Sequence, residues 1–222
     1  MRLRIFLLLL FLTACAPQKT VVDEMPETLF VYSSSTTEAW IPFVCACVEY
    51  SPFGFIARNH SIASADISLR IIAPKDSALV AYEIGEVEIA IVGNAINPIP
   101  TLTQVQVAAI FDGRISNWAQ VGGEDAEIKL WVYSQENDLQ QVFNETLLEG
   151  GKLSSLARQA QNMEEMRREI AQDENALGII AFAEDEENLR ILYNVGKFPV
   201  FVILQEDMEK ELFSLLKCLQ EG

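Results

Sequence analysis

The 222-residue chain carries 32 Asp and Glu against 16 Lys and Arg, a formal net charge of −16, and half of its residues are hydrophobic. That balance argues against an electrostatic grip on nucleic acid or on anionic lipid headgroups. The length suffices for a real core, in one domain or two small lobes, without disulfide staples.

Arg2 and Arg4 precede the apolar run Ile5 to Leu12, which is too short to cross a bilayer as a helix and has the shape of a secretory signal. It closes on Leu12-Thr13-Ala14-Cys15, small residues followed at once by cysteine, a pattern that resembles the lipobox of bacterial lipoproteins. The resemblance implies that residues 1–14 are a signal peptide, that Cys15 is the lipidated first residue of the mature chain, and that the protein lies outside the cytoplasm. A diacylated thiol plus an acylated amino group satisfies the two-signal requirement for lasting attachment to the lipid bilayer. Loss of Arg2 and Arg4 takes the charge from −16 to −18. Residues 15–27, with Pro17 and Pro26 and few apolar side chains, read as a tether.

The body alternates strand and helix. Leu29 to Tyr32 is a short apolar strand, and Thr36 to Tyr50 carries Trp40, Phe43, Val44 and Cys47 at helical spacing. Ile67 to Ala73 returns to an extended pattern, Ala78 to Ile84 is expected to be a short helix, and Glu86 to Val92 alternates as a strand. This is the βαβαβ succession of a parallel sheet. Asn97-Pro98-Ile99-Pro100 then breaks any helix. Beyond it come helix Gln104 to Phe111, strand Lys129 to Tyr133, helices Leu139 to Leu148 and Met163 to Gln172, and strand Gly178 to Phe182. A last strand pair, Ile191 to Tyr193 and Val200 to Leu204, precedes an amphipathic helix, Met208 to Leu219.

Four helix starts show the cap-x-x-Glu/Gln spacing that satisfies first-turn amides: Ser35 with Glu38, Thr103 with Gln106, Asn137 with Gln140 and Asn162 with Glu165. The first of these differs. Tyr32-Ser33-Ser34-Ser35-Thr36-Thr37 runs from strand into helix, so free amides, a positive helix end and up to five hydroxyls converge at the sheet's carboxyl edge, a good place for an anion. A plain Ser/Thr-rich cap explains Ser35 equally well.

Leu102-Thr103, Ile110-Phe111-x-Gly113-x-Ile115-x-Asn117-Trp118 and Val121-Gly122-Gly123 resemble the signature of phosphate-binding proteins of ABC transporters, within the type II periplasmic binding protein superfamily. Physically, Thr103 caps, Gly113 permits a positive backbone dihedral where the helix ends, and Trp118 needs an apolar pocket with one partner for its indole N–H. Weaker matches extend the resemblance over most of residues 28–183. It implies an α/β fold of two lobes, each a mixed, mostly parallel sheet flanked by helices, closing over a small ligand that is handed to a membrane permease without chemistry. The lobes are expected to be residues 28–96 plus 183–222, and 97–182.

Where the family has Ser-Arg this chain has Gly93-Asn94, and where it has an arginine-bearing strand and Ser-Gly-Thr it has Tyr133 and Asn137-Asp138-Leu139. An arginine fork is the strongest partner for phosphate, so two anion contacts are missing. The expected ligand is phosphate or another small anionic or polar solute, held by Ser34, Ser35, Thr36, Thr37, Asn94 and Asn137. The alternative is a family member that has lost its ligand and serves a sensor or assembly role. An enzyme would have to use His60, the one histidine, and no nucleophile elbow surrounds any serine. No Walker loop or GxGxxG is present, and Cys-x-Cys without a second pair does not make a zinc site. Neither a metal nor any other cofactor is expected. With Cys15 lipidated, Cys45 or Cys47 could bridge to Cys218 in an oxidising compartment, and buried free thiols are an equal alternative.

Overall fold

The computed structural model describes residues 27–76, 78–182, 188–204 and 208–221. The expected signal peptide, Cys15 and all but the last residue of the tether lie outside the described residues. No helix among the described residues is long and apolar enough to cross a membrane.

The chain runs β1 (Glu27–Ser33), α1 (Ile41–Cys47), β2 (Phe53–Asn59), β3 (Ile67–Arg70), β4 (Val80–Asn94), α2 (Gln104–Phe111), β5 (Lys129–Val132), α3 (Asp138–Leu147), β6 (Arg158–Gln159), α4 (Met163–Gln172), β7 (Ala176–Phe182), β8 (Leu189–Leu204) and α5 (Glu209–Glu221). The strands form one sheet in the order β2-β1-β3-β8-β4-β7-β5-β6. Both flanks are parallel, β1 with β2 and β3, and β5 with β6 and β7. Three antiparallel pairings join them, β3 with β8, β8 with β4, and β4 with β7.

The two central strands are the longest, β4 with 15 residues and β8 with 16. Val80 to Glu83 pair with Phe201 to Leu204 beside β3, whereas Glu88 to Gly93 pair with β7 on the other flank. Each strand therefore runs from one flank of the sheet to the other. Their register shifts between Glu83 and Gly85 and again between Ile89 and Ala90. At the first shift the Trp40 ring lies so close over Gly85 that a Cβ there would meet its Cη2 at 2.1 Å. Only glycine fits that contact.

Three expectations about elements change. Ala78 to Ile84 is not a helix: from Val80 it is the start of β4, because pairing with the end of β8 supplies the backbone partners that a short, weakly patterned stretch cannot supply for itself. The expected last strand pair is one strand, β8, bent at Gly196 with φ +138°. Thr36 to Tyr50 is broken into a 3-10 turn at Glu38–Trp40, α1 with Pro42 in its first turn, and a 3-10 turn at Val48–Tyr50. β2, which the sequence pattern left unassigned, is the sheet's edge strand beside β1.

The second lobe follows its sequence closely. Thr103 and Gln106 make a reciprocal capping box on α2, Asn137 accepts from Leu139 and Gln140 amides on α3, and Asn162 accepts from Glu165 N on α4. Gly113 sits at φ +85° just past α2. Trp118 is 2 % exposed, and its indole N–H donates to Asn175 O at 3.2 Å. Both needs of that side chain, an apolar pocket and one acceptor, are met. In the first lobe Cys47 is bonded to Cys218 with Cα atoms 5.7 Å apart, fastening α1 to α5, and Cys45 is free and exposed. Cys47 is thus the partner of Cys218 that the sequence left open.

Candidate functional site

Parallel pairing of β1 with β3 sets Ser33 opposite Leu69, so the carboxyl ends of these strands present the Ser/Thr loop and Arg70 side by side. Thr37 is fully buried and Ser34 nearly so. Thr37 Oγ1 donates to Leu69 O at 2.8 Å and lies 3.1 Å from Ser34 Oγ and 3.0 Å from Ser33 Oγ. These hydroxyls hold the loop to the strand beside it. The cap expected at Ser35 with Glu38 does not form, since no side chain caps this helix start. Glu38 turns instead to Arg58 at 2.7 Å. Ser35 Oγ accepts from Asn137 Nδ2 at 3.2 Å, a bond between the two lobes. Thr36 is 5 % exposed, and among the described residues its Oγ1 has no hydrogen-bond partner.

Across from this loop, Asn137 and Asp138 open α3. The Asp138 carboxylate is gripped by Arg70 in a fork, Nε to Oδ2 at 2.7 Å and Nη2 to Oδ1 at 2.5 Å. The side chains are 2 % and 19 % exposed respectively. Burial raises the Tyr32 phenol above its ordinary value, the Asp138 carboxylate adds to the rise, and Arg70 opposes it. Tyr32 is therefore within the electrostatic reach of the pair. Arg70 is the residue that sequence reasoning missed. A lone arginine closing the apolar strand Ile67-Ser68-Leu69-Arg70, at a sheet's carboxyl edge, was the available signal.

A cleft of about 520 Å³ opens against the Ser/Thr loop. The Ser35 to Trp40 segment forms one wall, the start of α4 with Glu164 and Arg167 the other, and Glu86 to Glu88 of β4 run along it. Ser35 and Thr36 thus line the cleft, Asn137 is bonded to Ser35, and Ser34 and Thr37 are buried. Asn94 is not. Its Nδ2 donates to Ile170 O and Ala171 O, and its Oδ1 accepts from Ile96 N. Those carbonyls lie near the far end of α4, about 11 Å along the helix from its first residue.

His60 is exposed in the turn after β2, with no hydrogen bond to a serine or carboxylate among the described residues. Nor, among the described residues, is any group of three or more His, Cys, Asp or Glu placed to hold a metal ion.

Two α/β flanks joined by crossing central strands, with a cleft beside the junctions of strand and helix, define a binding-protein type of fold. The chain belongs to the PBP superfamily: the family profile described as a PBP superfamily domain matches residues 19–211. Within it the fold is that of phosphate-binding-protein-like type II periplasmic binding proteins. It is similar to a putative phosphate ABC transporter substrate-binding protein from Clostridium perfringens, solved with bound phosphate, at 19% identity and TM-score 0.76, over 87% of this chain and 93% of that one. An ABC-type phosphate transport receptor from Vibrio cholerae matches at 18% identity and TM-score 0.67, over 85% and 93%. A Corynebacterium glutamicum OxyR variant with hydrogen peroxide bound matches at 10% identity and TM-score 0.63, over 89% and 65%. The first two are substrate-binding proteins, which are not enzymes.

Proposed function

We propose that the chain is an extracytoplasmic solute-binding lipoprotein of an ABC-type transporter. It is anchored to a bacterial membrane through acylated Cys15, binds phosphate or another small oxyanion or polar solute between its lobes, and delivers it to an ABC permease. The observation that carries this is the cleft between the Ser35 to Trp40 segment and the start of α4, with Asn137 bonded to the lining residue Ser35. The Clostridium perfringens structure, similar over most of both chains, has phosphate bound. The Cys47–Cys218 bond suits an oxidising compartment outside the cytoplasm.

The lobes of this reading are residues 28–96 with 183–222, and 97–182, so that the chain crosses between them near Asn97 to Pro100 and again near 183–187, the second crossing lying outside the described residues. Closure then needs only small dihedral changes at those points.

A second reading, a sensor or assembly protein without transport ligand, draws on one observation: Ser34, Thr37 and Arg70 already spend their polar groups on the chain itself. Thermal unfolding against a panel of oxyanions, amino acids and sugars separates the two, because a ligand that binds only the native state raises the midpoint. The transport reading predicts a rise with at least one solute. Midpoints unmoved across the panel leave the second.

A further inference from the structure

The sheet ends in two unlike edges. β6 on one side is two residues long, Arg158–Gln159, and its arginine lies over the Trp131 ring, so it offers little backbone for another strand to pair with. β2 on the other side has seven residues, Phe53–Asn59, about 23 Å of backbone. Among the described residues no strand pairs with its outer edge. Its register shift lies at its start, opposite Glu27 and Thr28, which leaves Phe55 to Asn59 regular. An edge of this length usually carries charge, proline or a covering element that keeps other chains off. β2 has one charged side chain, Arg58, which is paired with Glu38 at 2.7 Å, so the edge is close to neutral in a chain of net charge −16. Phe30 and Phe55 project from one face of the β1–β2 pair, since Thr28 lies beside Phe55 and Phe30 beside Ala57, and they remain 44 % and 60 % exposed.

We propose that β2 pairs antiparallel with β2 of a second copy of this chain, about a two-fold axis at Ile56, so that the two sheets continue as one. The strand is self-complementary about that residue. Ile56 faces Ile56, Phe55 faces Ala57 of the other copy, and Arg58 faces Gly54, so a large side chain meets a small one on either side of the axis and no like charges are opposed. Ala57 is also the neighbour of Phe30. The Phe55 ring of the second copy therefore settles over Ala57 against Phe30, and two half-exposed rings cover each other on each side of the axis. Each copy contributes on the order of 200 Å² of aromatic surface in this way, below the roughly 800 Å² per partner of a stable dimer. Association is consequently weak in dilute solution and grows with concentration. The net charge of −16 on each copy opposes it at long range, so salt should strengthen it by screening. The pairing needs no solute and stands apart from the transport reading.

The test is a disulfide trap in the full chain in detergent, with Cys45, the free cysteine of the described residues, replaced by serine. In Ile56→Cys the substituted positions face each other with Cα atoms about 4.5–5.5 Å apart, inside the range that a disulfide spans. In Gly54→Cys, at a more exposed position, the same pairing sets the two cysteines about 13 Å apart along the strands, beyond that range. Mild oxidation should give at least tenfold more covalent dimer from Ile56→Cys than from Gly54→Cys or from the Cys45→Ser parent. Adding Phe55→Lys, at an exposed site, should remove that excess, and Phe55→Leu should keep most of it. Random collision favours the more exposed position, so equal or reversed yields overturn the proposal, as does a trap that Phe55→Lys leaves unchanged. Light scattering of the unsubstituted chain supplies a second readout if Ile56→Cys does not fold: the mass should rise towards twice that of one chain as concentration and salt increase, and in Phe55→Lys it should stay at one. A mass of one chain throughout overturns the proposal, and equal doubling in Phe55→Lys assigns dimerisation to another surface and overturns it too.

Discussion

The two strand-to-helix junctions joined by the Ser35–Asn137 hydrogen bond are built in opposite ways. After β1 the chain turns through Ser33 to Thr37, whose hydroxyls bond to one another and to Leu69, with no side chain capping the helix start and Thr36 Oγ1 left over. After β5 it turns through Asn137 and Asp138, where the asparagine caps α3 and the aspartate is locked to an arginine from the other lobe. One junction is held by neutral hydrogen bonds, most of them to itself and to the strand beside it, the other by charge supplied from the end of β3. Stability at the second junction therefore depends on the lobes being closed, while stability at the first does not.

The comparison is broken most forcefully at Arg70. Arg70→Ala leaves the Asp138 carboxylate buried without its partner and should cost about 3–5 kcal/mol in chemical denaturation. Replacing both, Arg70→Met with Asp138→Leu, should recover most of that loss. If the single substitution costs no more than an exposed one, the pair does not hold the lobes. Asn137→Ala comes next, with about 1 kcal/mol lost from the helix cap together with the bond to Ser35.

Tyr32 sharpens the electrostatic side. Its folded pKa is raised above 10.0 by burial and by Asp138, against Arg70, so the neutral phenol is favoured in the folded chain. That contribution is fully present below the unfolded value and is lost as pH rises through the folded one. Ultraviolet titration should show the Tyr32 pKa falling toward its ordinary value in Asp138→Asn and climbing further in Arg70→Ala. The smallest effect belongs to the first junction. Thr36→Val removes a buried hydroxyl that bonds to nothing, so unfolding of the ligand-free chain should change by less than about 0.5 kcal/mol, whereas solute affinity should fall.

Legibility followed the range of the interactions involved. Caps and glycine turns are local, so α2, α3 and α4 and the Gly113 turn with Trp118 were readable from a few adjacent residues. β4 and β8 draw their form from each other across more than a hundred residues, which is why Ala78 to Ile84 looked helical and β8 looked like two strands. The site divides in the same way. The hydroxyl loop and Asn137 announced themselves by composition. Arg70 meets Asp138 only because β1, β3 and α3 converge, and their separation of 68 positions hides that in the sequence. Asn94 stands where the resembled family carries Ser-Arg, and the fold spends its amide on carbonyls near the end of α4.

Amide hydrogen exchange offers the most direct test that the two junctions form one solute site. With a solute found in the thermal screen at saturation, residues 35–37 and 137–139 should slow together, because each would gain a partner in the same closed state. Slowing at only one of these segments, or solely in a region remote from both, would contradict a shared site between the lobes.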